Sequence, residues 1–282
     1  MIDLYCGVPG SGKSCTALFD GICHLLAGGV LATNFELVDD WAERLADRSL
    51  KVFFRKVKRE DFIADITSRC FLLGSVDSIF SLAAITPSLA KGVPGSRKEG
   101  KAMVILDECQ FYFNSRNWDK NSGFIEVFTQ HRKLGLDFIL IAHQLEMIDK
   151  QIRFLIEYET FFRNFSRVKL PIPFLSIKMS PVPCFLAIRQ YANMGAGKAM
   201  KAKTWVQPLH KSIADLYDSF KIFSFDVEPP PLMHQKSIPR SNDIKRSYRY
   251  RFPSYMPKPF VRDFYNDDVQ GDSHDCTQLL LT

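Results

Sequence analysis

The chain has 282 residues, 46% hydrophobic and 24% charged, which is enough for one sizeable α/β core with a smaller appendage and excludes a disordered or fibrous chain. Its formal charge of +6 leans towards an anionic partner, nucleic acid or a membrane face, without selecting one. Seven scattered cysteines, with no CxxC pair and no Cys/His cluster at metal-ligand spacing, exclude a disulfide scaffold and read as reduced core thiols in a cytosolic protein.

Met1 leads directly into a strand, so no signal peptide is expected. No run reaches the roughly 20 apolar residues that span a bilayer. The best attempt, residues 170–191, is broken by Pro171, Pro173, Lys178, Pro181, Pro183 and Arg189.

Ile2–Cys6 is a short apolar run ending at glycine, the pattern of a buried parallel strand. Residues 13–27 carry helical spacing in Ala17, Leu18, Ile22, Leu25 and Leu26, closed by Gly28 and Gly29. A second strand is expected over 30–35 and a polar surface helix over 39–48. Residues 51–58 read as a basic strand, followed by two helical stretches up to 94. Residues 91–101, rich in Gly, Lys and Arg, read as an exposed loop. The apolar strand 102–106 ends in Asp107 and Glu108. A helix over 123–134 follows, then the apolar strand 138–142, which ends in His143 and Gln144.

This alternation predicts an α/β fold: a P-loop NTPase whose mostly parallel sheet is covered by helices on both faces. Past residue 158 the pattern changes to three adjacent strands, 160–168, 174–179 and 184–191, with Pro-rich turns between them, and then a short helix over 213–220. These make a small antiparallel extension. From 226, Pro229, Pro230 and Pro231 open an irregular tail. The expected organisation is a core over 1–158, a β-rich extension completing it over 159–225, and a basic, Pro-rich tail over 226–282.

Residues 7–14, Gly-Val-Pro-Gly-Ser-Gly-Lys-Ser, match G-x-x-x-x-G-K-[ST] between a strand and a helix. Gly7, Pro9, Gly10, Ser11 and Gly12 let backbone N–H groups turn around the β-phosphate of ATP, and the helix N-terminus with Cys15 completes the phosphate cradle. Lys13 reaches the β- and γ-phosphates, and the Ser14 hydroxyl ligates Mg²⁺. Asp107 is the expected second support of Mg²⁺ at the carboxyl edge of the sheet, and Glu108 the group that orients and deprotonates the attacking water. Gln144, ending the next strand, either senses the γ-phosphate or simply caps the strand; His143 beside it reads as structural. Arg132 is either an arginine finger for a neighbouring subunit or a solvated helix end favoured by the helix dipole, with Arg153 a weaker candidate for the same role.

Between 236 and 262, eight basic residues (Lys236, Arg240, Lys245, Arg246, Arg249, Arg251, Lys258, Arg262) face one acid, Asp243. Tyr248, Tyr250, Phe252, Tyr255 and Phe260 interleave with them. Cations with aromatic faces suit single-stranded nucleic acid; a solvated tail or one docking on anionic lipid are the alternatives.

Three pieces, GVPGSGKS, VILDECQ and QHRKLGLDFILIAHQ, together resemble the zonular occludens toxin-like (Zot) family, which includes the gene-I assembly proteins of filamentous bacteriophages. The segment from Lys211 to Ser219 is similar to the family's region after its ATPase core. The likeness covers roughly residues 1–220. It implies a multimeric ATPase, a homo-oligomeric ring, at the cytoplasmic face of the host inner membrane. Such an enzyme engages single-stranded phage DNA with its coat of binding protein and membrane assembly partners, and powers virion extrusion. The resemblance places nucleotide at Gly7 to Ser14, metal at Ser14 and Asp107, water activation at Glu108 and sensing at Gln144. Family members commonly carry one membrane helix after the core; here the corresponding region is basic and Pro-rich. A small-molecule or nucleotide kinase, with residues 91–101 as a lid, and a nucleotide-gated adaptor that does not hydrolyse are the competing readings.

Overall fold

The computed structural model describes residues 1–52, 57–90, 100–113, 118–165, 183–192, 201–218 and 232–236. In chain order its elements are β1 (Ile2–Cys6), α1 (Lys13–Leu26), β2 (Val30–Thr33), α2 (Trp41–Val52), α3 (Arg59–Ser68), β3 (Cys70–Leu72), α4 (Val76–Leu89), β4 (Ala102–Leu106), α5 (Trp118–Leu134), β5 (Leu136–Ala142), α6 (Lys150–Arg153), β6 (Tyr158–Asn164), β7 (Cys184–Tyr191), β8 (Lys201–Pro208), α7 (Lys211–Ala214) and β9 (Met233–His234).

The apolar runs become the middle of one sheet, ordered β8-β7-β6-β1-β5-β4-β2-β3-β9. The six strands from β6 to β3 are parallel; β7, β8 and β9 pair antiparallel at the two ends. Every residue of β1 and β4 is buried, as strands covered on both faces require. Alternation sorts their side chains into two cores. Tyr5, Leu31, Ile105 and Ile141 pack with α1, α2 and α3, while Leu4, Val104, Leu106 and Leu140 pack with α4, α5 and α6. The chain therefore has the expected α/β P-loop NTPase architecture.

Some local expectations change. The basic strand over 51–58 does not form in the described residues: α2 runs on to Val52, and Lys58 is the N-cap of α3. The buried stripe Trp41, Ala42, Leu45, Ala46 and Ser49 keeps helical spacing, and the helix it anchors extends to Val52. The 213–220 helix is shorter and earlier, as α7. The extension begins with β6, which is parallel to β1 and so belongs to the main sheet; β7 then starts the antiparallel pairing. Strand 174–179 and most of the 91–101 loop lie outside the described residues.

A buried polar chain crosses the joint between β1 and the extension. Asp3 pairs with Arg189 of β7 and accepts from Thr160 at 3.2 Å, while the Arg189 guanidinium lies 4.2 Å over the Tyr158 ring. On the next turn of the same face, Tyr5 donates to Asp20 of α1 at 2.9 Å. Burial raises the pKa of Asp20 to about 7. At the opposite end, β9 lies against β3, and Gln235 is inserted beside the end of β2: it donates to Thr33 at 2.8 Å and to the Phe35 carbonyl at 2.9 Å, and accepts from Leu37 N–H at 3.1 Å. Residues 232–236, expected within the tail, are thus part of the sheet; the basic–aromatic stretch from Arg240 onward lies outside the described residues.

Candidate nucleotide site

The loop after β1 turns on residues that tolerate positive φ. Gly7 (φ 148°) and Gly12 (φ 94°) are in that region, where a side chain is strained. Space forbids one as well. A Cβ on Gly7 would stand 2.5 Å from the Phe162 carbonyl oxygen, and one on Gly12 2.4 Å from the Phe185 ring. Gly7 N–H donates to the His143 carbonyl at 3.3 Å, tying the loop to β5, and Asn164 of β6 donates to the Gly10 carbonyl at 3.1 Å. Lys13 opens α1 and is almost fully buried; its ammonium donates to the carbonyls of Gly7 (2.7 Å) and Val8 (3.2 Å). Ser11 is fully buried, and its hydroxyl has no partner among the described residues. The helix N-terminus adds partial positive charge to the same concavity.

Asp107 and Glu108 leave β4 at the same carboxyl edge. Asn34, just past β2, clamps Asp107 by two bonds, donating to its carbonyl at 2.9 Å and accepting its N–H at 2.8 Å. The Asp107 carboxylate accepts from Ser14, from Glu108 N–H at 2.9 Å and from the Tyr217 hydroxyl at 3.3 Å. Burial pushes its pKa up, and the Ser14 hydroxyl is the main opposing influence. Lys13 is shifted down by burial, against the pull of the charges on Asp107 and Glu108. The loop lysine and the acid pair therefore share one electrostatic neighbourhood. Glu108 has φ 50° and ψ 41°. Its carboxylate accepts from Gln110 and lies 3.5 Å from His143 Nε2.

This set fits a magnesium-bound nucleoside triphosphate. The glycines let the loop pack so closely against Phe162 and Phe185 that a Cβ would collide with them, and the Ser11 hydroxyl is buried without a partner among the described residues. Ser14 and Asp107 offer the one or two hard oxygen donors that Mg²⁺ takes from protein when phosphates and water supply the rest.

Residues 1–172 match the profile of the family described as zonular occludens toxin (Zot). The chain belongs to the Zot family. This bears out the resemblance drawn from the three motifs. Among its relatives, the gene 1 protein of Enterobacteria phage I2-2 is 26% identical over 236 residues, covering 80% of this chain and 58% of that protein. The gene 1 protein of Enterobacteria phage fd is 30% identical over 168 residues, covering 58% of this chain and 42% of that one. The chain thus matches about half the length of these relatives. Of solved structures, the N-terminal domain of zonular occludens toxin from Neisseria meningitidis aligns with a TM-score of 0.41 and 15% identity, over 77% of this chain and 98% of that domain.

In this Zot-family chain, β5 lies between β1 and β4, so its end falls between the loop and the acid pair. Gln144 stands there, exposed. Arg132 does not join the site. It precedes β5 at the amino edge, across a strand roughly 20 Å long, where its 61% exposed side chain lies 3.5 Å from Glu157. His131 and the Met1 amine meet the same carboxylate. Arg153 ends α6, its N–H bonded to the Asp149 carbonyl at 3.0 Å. Cys15 lies in the first turn of α1 with its thiol bonded to the His210 backbone, and burial raises its pKa to about 12.

Sequence reasoning missed Asn34, Gln110, Asn164, Tyr217 and Phe185, and it named His143 only as structural. Two of the missed residues left a signal. Gln110 belongs to the Asp-Glu-x-Gln quartet, and Tyr217 lies in the Lys211 to Ser219 segment that carried the resemblance.

Proposed function

We propose that this chain is an ATP-hydrolysing motor for assembly and export of single-stranded DNA filamentous phage at the host inner membrane. The observation that carries the reading is the meeting of Lys13, Ser14, Asp107 and Glu108 at one sheet edge, and kinship with phage gene 1 proteins supplies the setting. Mg²⁺ bound with ATP would supply charge neutralisation at the phosphates. Lys13 and the loop N–H groups would hold the triphosphate, Ser14 and Asp107 would hold the metal, and Glu108 would take the proton from the attacking water. Gln144 orients that water. Arg132 takes no part within one subunit; as a finger it would serve a neighbour in a ring.

Among the described residues no helix is long and apolar enough to cross a membrane. Attachment at the inner membrane through assembly partners is part of the proposal. The DNA partner is assigned to the basic–aromatic stretch 236–262.

The test is Glu108→Gln. We expect ATP affinity within about twofold of wild type and turnover lower by roughly a hundredfold or more, the scale of losing a general base, with phage export abolished. Unchanged turnover would remove the hydrolytic reading. Export that survives the loss of turnover would leave a nucleotide-gated adaptor instead.

A further inference from the structure

Glu108 is held at both ends of its side chain's reach. Its backbone sits in the left-handed region, uncommon for a residue with a side chain, so the stretch from Asp107 to Gln110 turns sharply into the 3₁₀ turn Cys109–Phe111. That turn brings Gln110 back so that its Nε2 donates to Glu108 Oε2. From β5, His143 places Nε2 3.5 Å from the same oxygen. Both helpers carry a cost. Gln110 is 6% exposed with its Oε1 buried and unpartnered among the described residues, and His143 Nδ1 is likewise buried without a partner. Orphaned buried polar atoms are rare in a fold that has no use for the groups bearing them. A packed apolar side chain at either position would cost less, unless the end facing Glu108 is what the site requires. His143 also accepts the Gly7 N–H on its own carbonyl, so one residue touches the start of the phosphate loop and the acid of the neighbouring strand.

We propose that Gln110 and His143 are positioning residues for Glu108, fixing its carboxylate over the end of β5, between the phosphate loop and Asp107. This rests on the reading of Glu108 as the base. A free glutamate side chain samples several rotamers, and the Gln110 hydrogen bond together with the His143 ring against the same carboxylate oxygen restricts it to one orientation. Neither residue touches nucleotide in this scheme. Their loss therefore acts on turnover and spares binding.

The experiment measures steady-state ATP hydrolysis and equilibrium binding of a fluorescent ATP analogue for the full chain carrying Gln110→Leu, His143→Leu or His143→Gln, each also combined with Glu108→Gln, with thermal melting as the check on folding. Each Leu variant is expected to lower kcat roughly ten- to a hundredfold, with KM and analogue affinity within about twofold. His143→Gln, which keeps a nitrogen donor on that side, is expected to recover most of the loss. In the Glu108→Gln background the Leu substitutions should change nothing further. Should His143→Leu not fold, Gln110→Leu carries the same comparison. A wild-type enzyme that depends on Glu108 yet keeps its kcat in both Leu variants, or gains turnover from them, overturns the positioning role alone. A wild-type chain with no turnover overturns the hydrolytic reading, and this role with it.

Discussion

His210 illustrates how a single buried ring sets a pH response. It stacks on Phe19 of α1 with centroids 4.3 Å apart, and burial lowers its pKa from 6.5 to about 4. The fold favours the neutral ring, whereas the unfolded chain protonates it near 6.5. Its contribution is therefore fully present above about 6.5 and is lost as pH falls towards 4, on the order of 3 kcal/mol in all. Asp20 acts with the opposite sign, its contribution declining as pH rises from about 4 to about 7, so the measurement is a difference. The stability gap between wild type and His210→Phe, taken from urea unfolding, should shrink from pH 7 to pH 4; a gap independent of pH would refute the assignment. At this scale the sequence was legible wherever the constraint is local. Gly7, Gly12, Lys13 and Ser14 occupy consecutive positions whose backbone and chemistry define one another. Asn34 and Phe185 reach the same site from distant elements, and no local pattern marks them.

Among the elements, the runs β1, β4 and β5 were legible because burial on both faces leaves them almost wholly apolar, with Asp3 in β1 and Asp137 in β5 the exceptions. β3 was not, since its three residues are too few to show a period, and β8 was hidden by the polar face of an edge strand. The joint between β1 and β7 rests on Asp3 and Arg189, fully buried and nearly so. Burial raises the pKa of Asp3, and the Arg189 charge is the principal force against that shift. Truncating one partner leaves an uncompensated charge inside. Arg189→Leu should cost about 3–5 kcal/mol in urea unfolding, and adding Asp3→Asn should return part of it. A loss below about 1 kcal/mol would show that water reaches Asp3 without the arginine.

Over the whole molecule, chemistry is segregated by sheet edge. The carboxyl edge carries the loop and the acid pair, while the amino edge carries Glu157 with His131, Arg132 and the Met1 amine. The sheet is finished by β9 and Gln235, 198 residues from its partner Leu37. Removing residues 226–282 strips three hydrogen bonds from the Gln235 side chain, on the order of 3 kcal/mol, and should lower the melting temperature by roughly 10 °C. A fragment ending at Lys236 should melt with the full chain; equal melting of both fragments would show that β9 contributes nothing. An exposed β3 also presents unpaired backbone to other chains, so the shorter fragment is expected to self-associate. A nucleotide-binding fragment prepared for measurement therefore has to run through Lys236, because the break in composition near 226 marks a change of style in the sequence and not the last stitch of the sheet.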